Sequence, residues 1–405
     1  MSGTAVTAAH VNPDPLPGAL VFIPNTAPGA NLPPLADGPA CRACPALTTD
    51  DVLVSAVTGP DGRFSLRDVP AGTGIPIVVQ LGTWRMQTTI DVAPCVDNAL
   101  PLGTVRLPRS QREGNIPLTA ISTGQHDTLE CLLRKMGIDD AEFTNPSATG
   151  RIHLYRSNGA IIDASTPDES VLKGVSAGGG RWSTYSQVLL ACEGAETLET
   201  PEALGNFIDY VDRGGRVLAT HFSYVWLFQN GPFAKIGAWT PGSASPAGPL
   251  VTDVVTSSPE GTNFGVWLGH AGALSRPAPP QIRIAAPHAD LGALVTGASA
   301  ELWLSSFSPP TSQAVAISTR LNDKVCGQIV FSDFHANRAA STSDTFPGEC
   351  EPNLALSADE KALEYMLLYI GACSAPPVVQ PPRSPPGPPL PPPLPPPYQP
   401  PLPPP

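Results

Sequence analysis

Charge is scarce in this chain. Only 14% of its 405 residues are Asp, Glu, Lys or Arg, and 35 acidic residues against 23 basic ones leave a net charge of −12. Clusters of Lys and Arg are what nucleic acid and anionic membranes demand, so neither is expected as a partner. Long apolar runs are also missing. No stretch approaches the roughly 18 apolar residues of a transmembrane helix. The first ten residues lack a basic start and an apolar core, so no signal peptide is read there. Residues 2–9 already read as a strand, with residues 15–24 (PLPGALVFIP) as the next. By pattern alone the sequence is expected to open inside a domain. A trimmed export signal, a start placed too far downstream and a cytosolic protein all stay open. Few lysines and many Ser, Thr, Gly and Asn favour a secreted or cell-envelope location.

A second CxxC is absent too. The eight cysteines are Cys41, Cys44, Cys95, Cys131, Cys192, Cys326, Cys350 and Cys373. An even number scattered through loops and element ends suits disulfides in an oxidising compartment. Cys41-Arg-Ala-Cys44 has no histidine pair nearby and sits among Pro and Gly, so a structural disulfide is favoured over a redox or zinc role. Cys350 and Cys373 flank an expected final helix and are expected to staple it to a sheet.

What the chain does have is proline: 51 residues, many of them beyond Ala375. Proline fixes φ and removes the backbone donor, so residues 374–405 read as an unpacked polyproline II tail. Two roles are open for it, a stiff spacer or a ligand for a domain that recognises polyproline II.

Residues 1–108 read as all-β. Short β-rich runs at 19–23, 53–57, 63–66, 76–81, 87–92 and 103–107 alternate with Pro, Gly and Asp turns. The motifs PLPGALV (15–21), TGPDGRFSL (58–66) and VPAGT (69–73) resemble, in that order, the carboxypeptidase regulatory-like domain. The resemblance implies a small transthyretin-like β-sandwich without catalytic residues; the insertion at 25–50 departs from it. Residues 109–120 read as a linker.

From residue 121 the period changes. Leu129, Leu132, Leu133 and Met136 form one helical stripe stopped by Gly137, and residues 151–155, 185–191, 216–220 and 328–333 read as strands. Helices are expected at 201–211 and 358–370, the latter capped by Ser357. The expected fold class is thus multidomain, β plus α/β. An N-terminal β-sandwich (1–108) precedes a mostly parallel, flavodoxin-like sheet with helices on both faces (121–373) and then a disordered proline-rich tail.

The segments YSQVLLACEG (185–194), VDRGGRVLATH (211–221) and GQIVFSDFH (327–335) resemble the class I glutamine-amidotransferase-like superfamily, in its ThuA-like branch. The whole chain is also similar to exported myxobacterial proteins that join a regulatory-like sandwich to such a domain. In true amidotransferases the strand after the Gly-Gly turn ends in a cysteine nucleophile. Here Thr220-His221-Phe222 stands there, and Asp333-Phe334-His335 is the nearest thing to the closing His-x-Glu pair. The resemblance therefore implies no glutaminase activity.

In open α/β sheets ligands bind beyond the carboxyl ends of the strands, which places His221 and His335 at the functional rim. Cys192 and His221, on adjacent expected strands, offer a Cys-His pair, against which stands a half-buried cysteine or a disulfide with Cys131. Glu193, His221, Asp333 and His335 offer nitrogen and carboxylate ligands. No cofactor is expected, and a divalent metal is retained as an alternative to a metal-free polar pocket. Tyr224 and Trp226 follow His221 and either stack on a sugar ring or cover the sheet. The favoured function is a binding or structural module for carbohydrate or a protein partner. The alternative is a hydrolase of sugar or peptide substrates that uses Cys192 or a metal held by His221 and His335.

Overall fold

The computed structural model describes residues 1–26, 30, 32–41, 51–175, 181–321, 324–335, 344–351 and 355–372. Cys44, Cys373 and the proline-rich tail lie outside the described residues.

The turn-punctuated N-terminal runs become β1 (Ser2–Val6), β2 (Leu20–Pro24), β3 (Val52–Val57), β4 (Arg63–Ser65), β5 (Gly72–Leu81), β6 (Trp84–Val92), β7 (Val105–Arg106) and β8 (Gly114–Asn115). They form a five-stranded sheet, β3-β2-β5-β6-β8, and a three-stranded one, β4-β1-β7. β8 lies in the connecting segment and pairs with β6.

Strands and helices then alternate: β9 (Thr119–Thr123), α1 (Leu129–Lys135), β10 (Phe143–Thr144), β11 (Ile152–Arg156), α2 (Glu169–Lys173), β12 (Gln187–Leu190), α3 (Pro201–Asp212), β13 (Arg216–Thr220) and α4 (Val225–Phe228). Next come β14 (Gly237–Trp239), β15 (Leu250–Val254), α5 (Pro259–His270), β16 (Arg276–Pro277), β17 (Pro280–Ile284), β18 (Ala286–Pro287) and β19 (Leu291–Leu294). The chain finishes with β20 (Ala300–Phe307), β21 (Pro310–Leu321), β22 (Lys324–Ser332), β23 (Phe334–His335) and α6 (Ala358–Gly371).

Eleven strands share one sheet in the order β10-β11-β9-β12-β13-β22-β21-β20-β15-β17-β16. The run from β10 to β22 is parallel throughout. Numbered along the chain, its five main strands stand in the order 2-1-3-4-5, with β9 beside β12 at the point where the order reverses. From β22 to β16 every pairing is antiparallel. The expectation of a mostly parallel sheet therefore holds for one half only. The other half is built from hairpins such as β20–β21, and strands joined by short turns must pair antiparallel.

β9, β12 and β13 are buried along their whole length, as a sheet covered on both faces requires. On one face Ala203 and Phe207 of α3 and Leu227 of α4 pack with Trp182 and Phe331. On the other, Leu132 of α1, Phe264 and Trp267 of α5 and Leu367 of α6 join Trp84 of β6 and Leu16, between β1 and β2, in one continuous core. The sequence of α6, ADEKALEYMLLYIG, alternates polar and apolar residues as an amphipathic helix does. Almost all of the helix is buried, because the large sheet lies on one side and the N-terminal sheets on the other. Its start is a full capping box between Ser357 and Glu360. Polar ties cross the same boundary. Trp267 Nε1 donates to Pro15 O at 2.7 Å, and Lys361 Nζ meets Asp14 Oδ1 at 2.8 Å.

Gly214 ends α3 with φ +102°. A Cβ there would also stand 2.2 Å from the Ala40 carbonyl carbon, so both backbone conformation and space demand glycine. That neighbouring segment is anchored by a disulfide between Cys41 and Cys326. A second disulfide joins Cys131 to Cys350. One alternative from the sequence is corrected by it: Cys131 is not the mate of Cys192, because α1 presents Cys131 to the segment that leads into α6. Cys350 does anchor the approach to the final helix, through α1, while the expected role of Cys373 lies outside the described residues. Cys95 and Cys192 are the free cysteines among the described residues, the first exposed and the second buried. Among the described residues no helix is long and apolar enough to cross a membrane.

Candidate functional site

The carboxyl ends of β9, β12, β13 and β22 share one rim, and each is followed by chemistry-bearing residues: His126 and Asp127, Cys192, His221, and Asp333 with His335. The connection between β18 and β19 brings His288 and Asp290 to the same place from the antiparallel half.

His221 stands where β13 turns sharply into a short helical segment, with φ +35°. A positive φ is uncommon for a residue with a side chain and is costly unless its surroundings enforce it. Two hydrogen bonds hold the ring. Its Nε2–H donates to Asp290 Oδ2 at 3.2 Å, while Nδ1 faces Cys192 Sγ at 3.4 Å. Asp290 is itself fully buried and accepts from Ser243 N at 3.1 Å. The Cys192 sulfur also accepts from Gly194 N at 3.3 Å. A Cβ on Gly194, which has φ +84°, would lie 2.1 Å from His126 Nδ1, so glycine lets that histidine close over the cysteine loop.

A second carboxylate–imidazole pair faces the first. His335 Nδ1–H donates to Asp127 Oδ2 at 3.1 Å, with Asp127 almost fully buried. With one nitrogen of each ring fixed as a donor, the other nitrogen of His221 and of His335 carries a lone pair. His288 stacks on His221, ring centroids 3.4 Å apart, and lies edge-on to His335 at 4.7 Å. Ser245 Oγ contacts His288 Nδ1 at 2.9 Å.

Burial dominates the electrostatics. It holds the His221 imidazole below its ordinary pKa against the opposing pull of Asp290. Burial, followed by the neighbouring imidazoles of His221, His335 and His126, drives His288 down to about 3. The Cys192 thiol is pushed well above the usual thiol range by burial and then by the Asp127 charge. The four histidines border a crevice of about 460 Å3 that also includes Phe222 and Ser245.

Of the residues singled out in the sequence, Cys192, His221 and His335 come together. Asp333 does not reach the crevice. It is fully buried, and its Oδ2 accepts from Leu291 N at 3.0 Å, bracing the segment that carries His288 and Asp290. Burial and the charge of Asp290 raise its pKa. Glu193 turns away and shares its surroundings with Glu169 and Lys173. Tyr224 is buried and donates to Glu196 Oε2 at 2.5 Å. Trp226 packs on Trp182 and Phe207 beneath α3, as a cover for the sheet. His126, Asp127, His288 and Asp290 escaped the sequence reading. The first two follow β9, whose TAIST sequence holds only two apolar residues, so the apolar-run rule that found His221 gives little signal there. His288 and Asp290 sit among hairpins, where that rule gives no signal.

No protein-family model matches this chain, and no curated protein matches it. Solved structures similar in part include the following three. PurLQS from Thermotoga maritima is 10% identical, covering 62% of this chain and 97% of its own, with a TM-score of 0.33. The exo-beta-1,4-mannosidase Op5Man5 from Opitutaceae bacterium strain TAV5 is 10% identical, covering 55% and 32%, with a TM-score of 0.24. The cytoplasmic protein STM3548 from Salmonella typhimurium is 14% identical, covering 63% and 98%, with a TM-score of 0.28. At these scores the likenesses carry no argument about fold or activity.

Proposed function

We propose that this chain is a hydrolase acting on a small sugar or peptide substrate in the crevice beyond the parallel strands. One observation carries the reading. Two buried carboxylates, Asp290 and Asp127, each fix one imidazole, and both imidazoles border the same pocket as His288. Acid–base chemistry depends on imidazoles held in one tautomer, and a surface that only binds does not. The site also lies at the switch point of the strand order, where α/β sheets bind ligands. Cys192 is fully buried, so in this reading it is not the attacking group. The strand-to-helix elbow carries His221 where an amidotransferase carries its thiol, and glutaminase activity is no part of the proposal. Phe222, half-buried on the pocket wall, offers a face for a sugar ring.

Around this centre we read residues 1–108 as a carboxypeptidase regulatory-like sandwich and residues 121–373 as an altered amidotransferase-like domain. An exported, envelope-associated setting with a carbohydrate or protein partner fits the two disulfides. The tail is read as a spacer or as a ligand for a polyproline-recognising domain.

The test is turnover of a panel of chromogenic glycosides, esters and peptides by the full chain, repeated with His221→Gln and His288→Gln. Turnover that drops at least about 100-fold in both variants, with melting temperatures retained, is the expected result. Ligand capture in the crevice with no turnover of any class would return the chain to the binding reading.

A further inference from the structure

We propose that Cys192, His221 and His335 together hold one divalent cation with the ligand preferences of zinc. The Cys192 sulfur and one ring nitrogen from each histidine lie within 4.8 Å of one another. The Cys192 Sγ to His221 Nδ1 separation is 3.4 Å. In a tetrahedral zinc shell a thiolate and an imidazole nitrogen stand about 3.5 Å apart, from the ordinary zinc–sulfur and zinc–nitrogen lengths.

The surroundings support the same reading independently. Metal-bound histidines almost always donate their other N–H to a carboxylate or carbonyl, which fixes the tautomer and raises ligand basicity. Asp290 does this for His221 and Asp127 for His335. The nitrogen left over on His221 is the one that faces the sulfur. His288 and Asp290 can also be grouped with His221 as three ligands. That set is the weaker one, because Asp290 already accepts from both His221 and Ser243.

Closed structural zinc sites take four protein ligands, whereas catalytic ones take three and keep a position for water. Here three ligands converge, and both histidines border the crevice. Cation binding stands apart from the hydrolase reading; only its catalytic use rests on that reading. In that use the oxygen of a cation-bound water bonds to the electrophilic carbon as the carbon–leaving-group bond breaks, and a proton from the water ends on the leaving group.

The experiment is titration of the metal-stripped full chain with cobalt(II) and zinc(II), followed by absorbance and by metal content after dialysis. One equivalent per chain is expected, with a thiolate-to-cobalt absorption band. Cys192→Ser should lose the band and bind at least about ten-fold more weakly, and Asp127→Asn should bind about 10–100-fold more weakly while keeping the band. Cys95→Ser, at an exposed thiol remote from the crevice, should change neither. If Cys192→Ser fails to fold, His335→Gln replaces it with the same expected loss of affinity. Sub-stoichiometric metal in the wild type, or a band that survives Cys192→Ser and disappears in Cys95→Ser, overturns the site. Stoichiometric binding without turnover on the substrate panel overturns the hydrolase alone.

Discussion

The two ends of the parallel strands are built to opposite specifications. At the amino ends, Cys326 opens β22 in a disulfide to Cys41, and Gly214 sits against the Ala40 backbone. Backbone donors there are closed by side-chain oxygens: Arg216 N donates to Tyr210 Oη at 3.3 Å and Gly327 N to Thr319 Oγ1 at 2.9 Å. At the carboxyl ends, among the described residues, no disulfide joins the crevice loops. Instead a histidine with positive φ, two carboxylate–imidazole pairs and a free thiol gather around a pocket. One end fixes the strands, and the other uses the alignment to aim reactive groups. Backbone strain and a cluster of buried and half-buried imidazoles lower stability, so their meeting at one rim is a functional signature.

Breaking the sealed end should cost stability and leave the crevice chemistry intact in the molecules that fold. Gly214→Val combines a forbidden φ with a clash against backbone and is expected to cost about 3–5 kcal/mol. Chemical denaturation checks it, and a loss under about 1 kcal/mol would mean that the Ala40 segment yields. Cys41→Ser opens a loop spanning 285 residues and is expected to cost about 2–4 kcal/mol, with cobalt binding per folded molecule unchanged. A Cys41 variant that melts like the wild type would remove the covalent tie from the account.

The opposite asymmetry is expected at the crevice. His221→Gly releases the positive φ and removes the ring. Relief of strain and loss of packing offset each other to within about 1 kcal/mol, while turnover and metal affinity are lost. A collapse of stability by several kcal/mol would make His221 a structural residue.

The smallest effect concerns Glu130, on the helix that begins at this rim. Burial, with the charges of Glu349 and Asp127 adding to it, pushes its carboxyl up to about 8 from an ordinary 4.5. The unfolded chain therefore releases this proton first, and stability falls as the pH rises from about 4.5 to about 8. Glu130→Gln should change little near pH 5 and gain about 1–2 kcal/mol at pH 8. Melting curves at the two values decide it, and an equal gain at both would place the effect in packing rather than charge.

The sequence reading was strongest where one chemical rule acts over a short span. Ser357 marked the start of α6, the Gly-Gly turn the end of α3, and the apolar runs before His221 and His335 marked buried strands. It was weakest where distant pieces meet. Nothing local to residues 250–321 announced that hairpins would extend the parallel sheet, because periodicity reports burial and not strand direction. The partners of Cys350 and Cys41 are set by tertiary packing, which spacing does not encode. Half of the crevice was legible for the same reason: Cys192, His221 and His335 follow strands, while His288 and Asp290 arrive from a connection in the antiparallel half.

The most direct measurement is anomalous diffraction at the zinc edge from crystals of the full chain grown with zinc. The account predicts one strong peak bonded to Cys192, His221 and His335, opening onto the crevice beside His288. Full occupancy at any other set of residues, with the Cys192 thiol still hydrogen-bonded to His221, would contradict it.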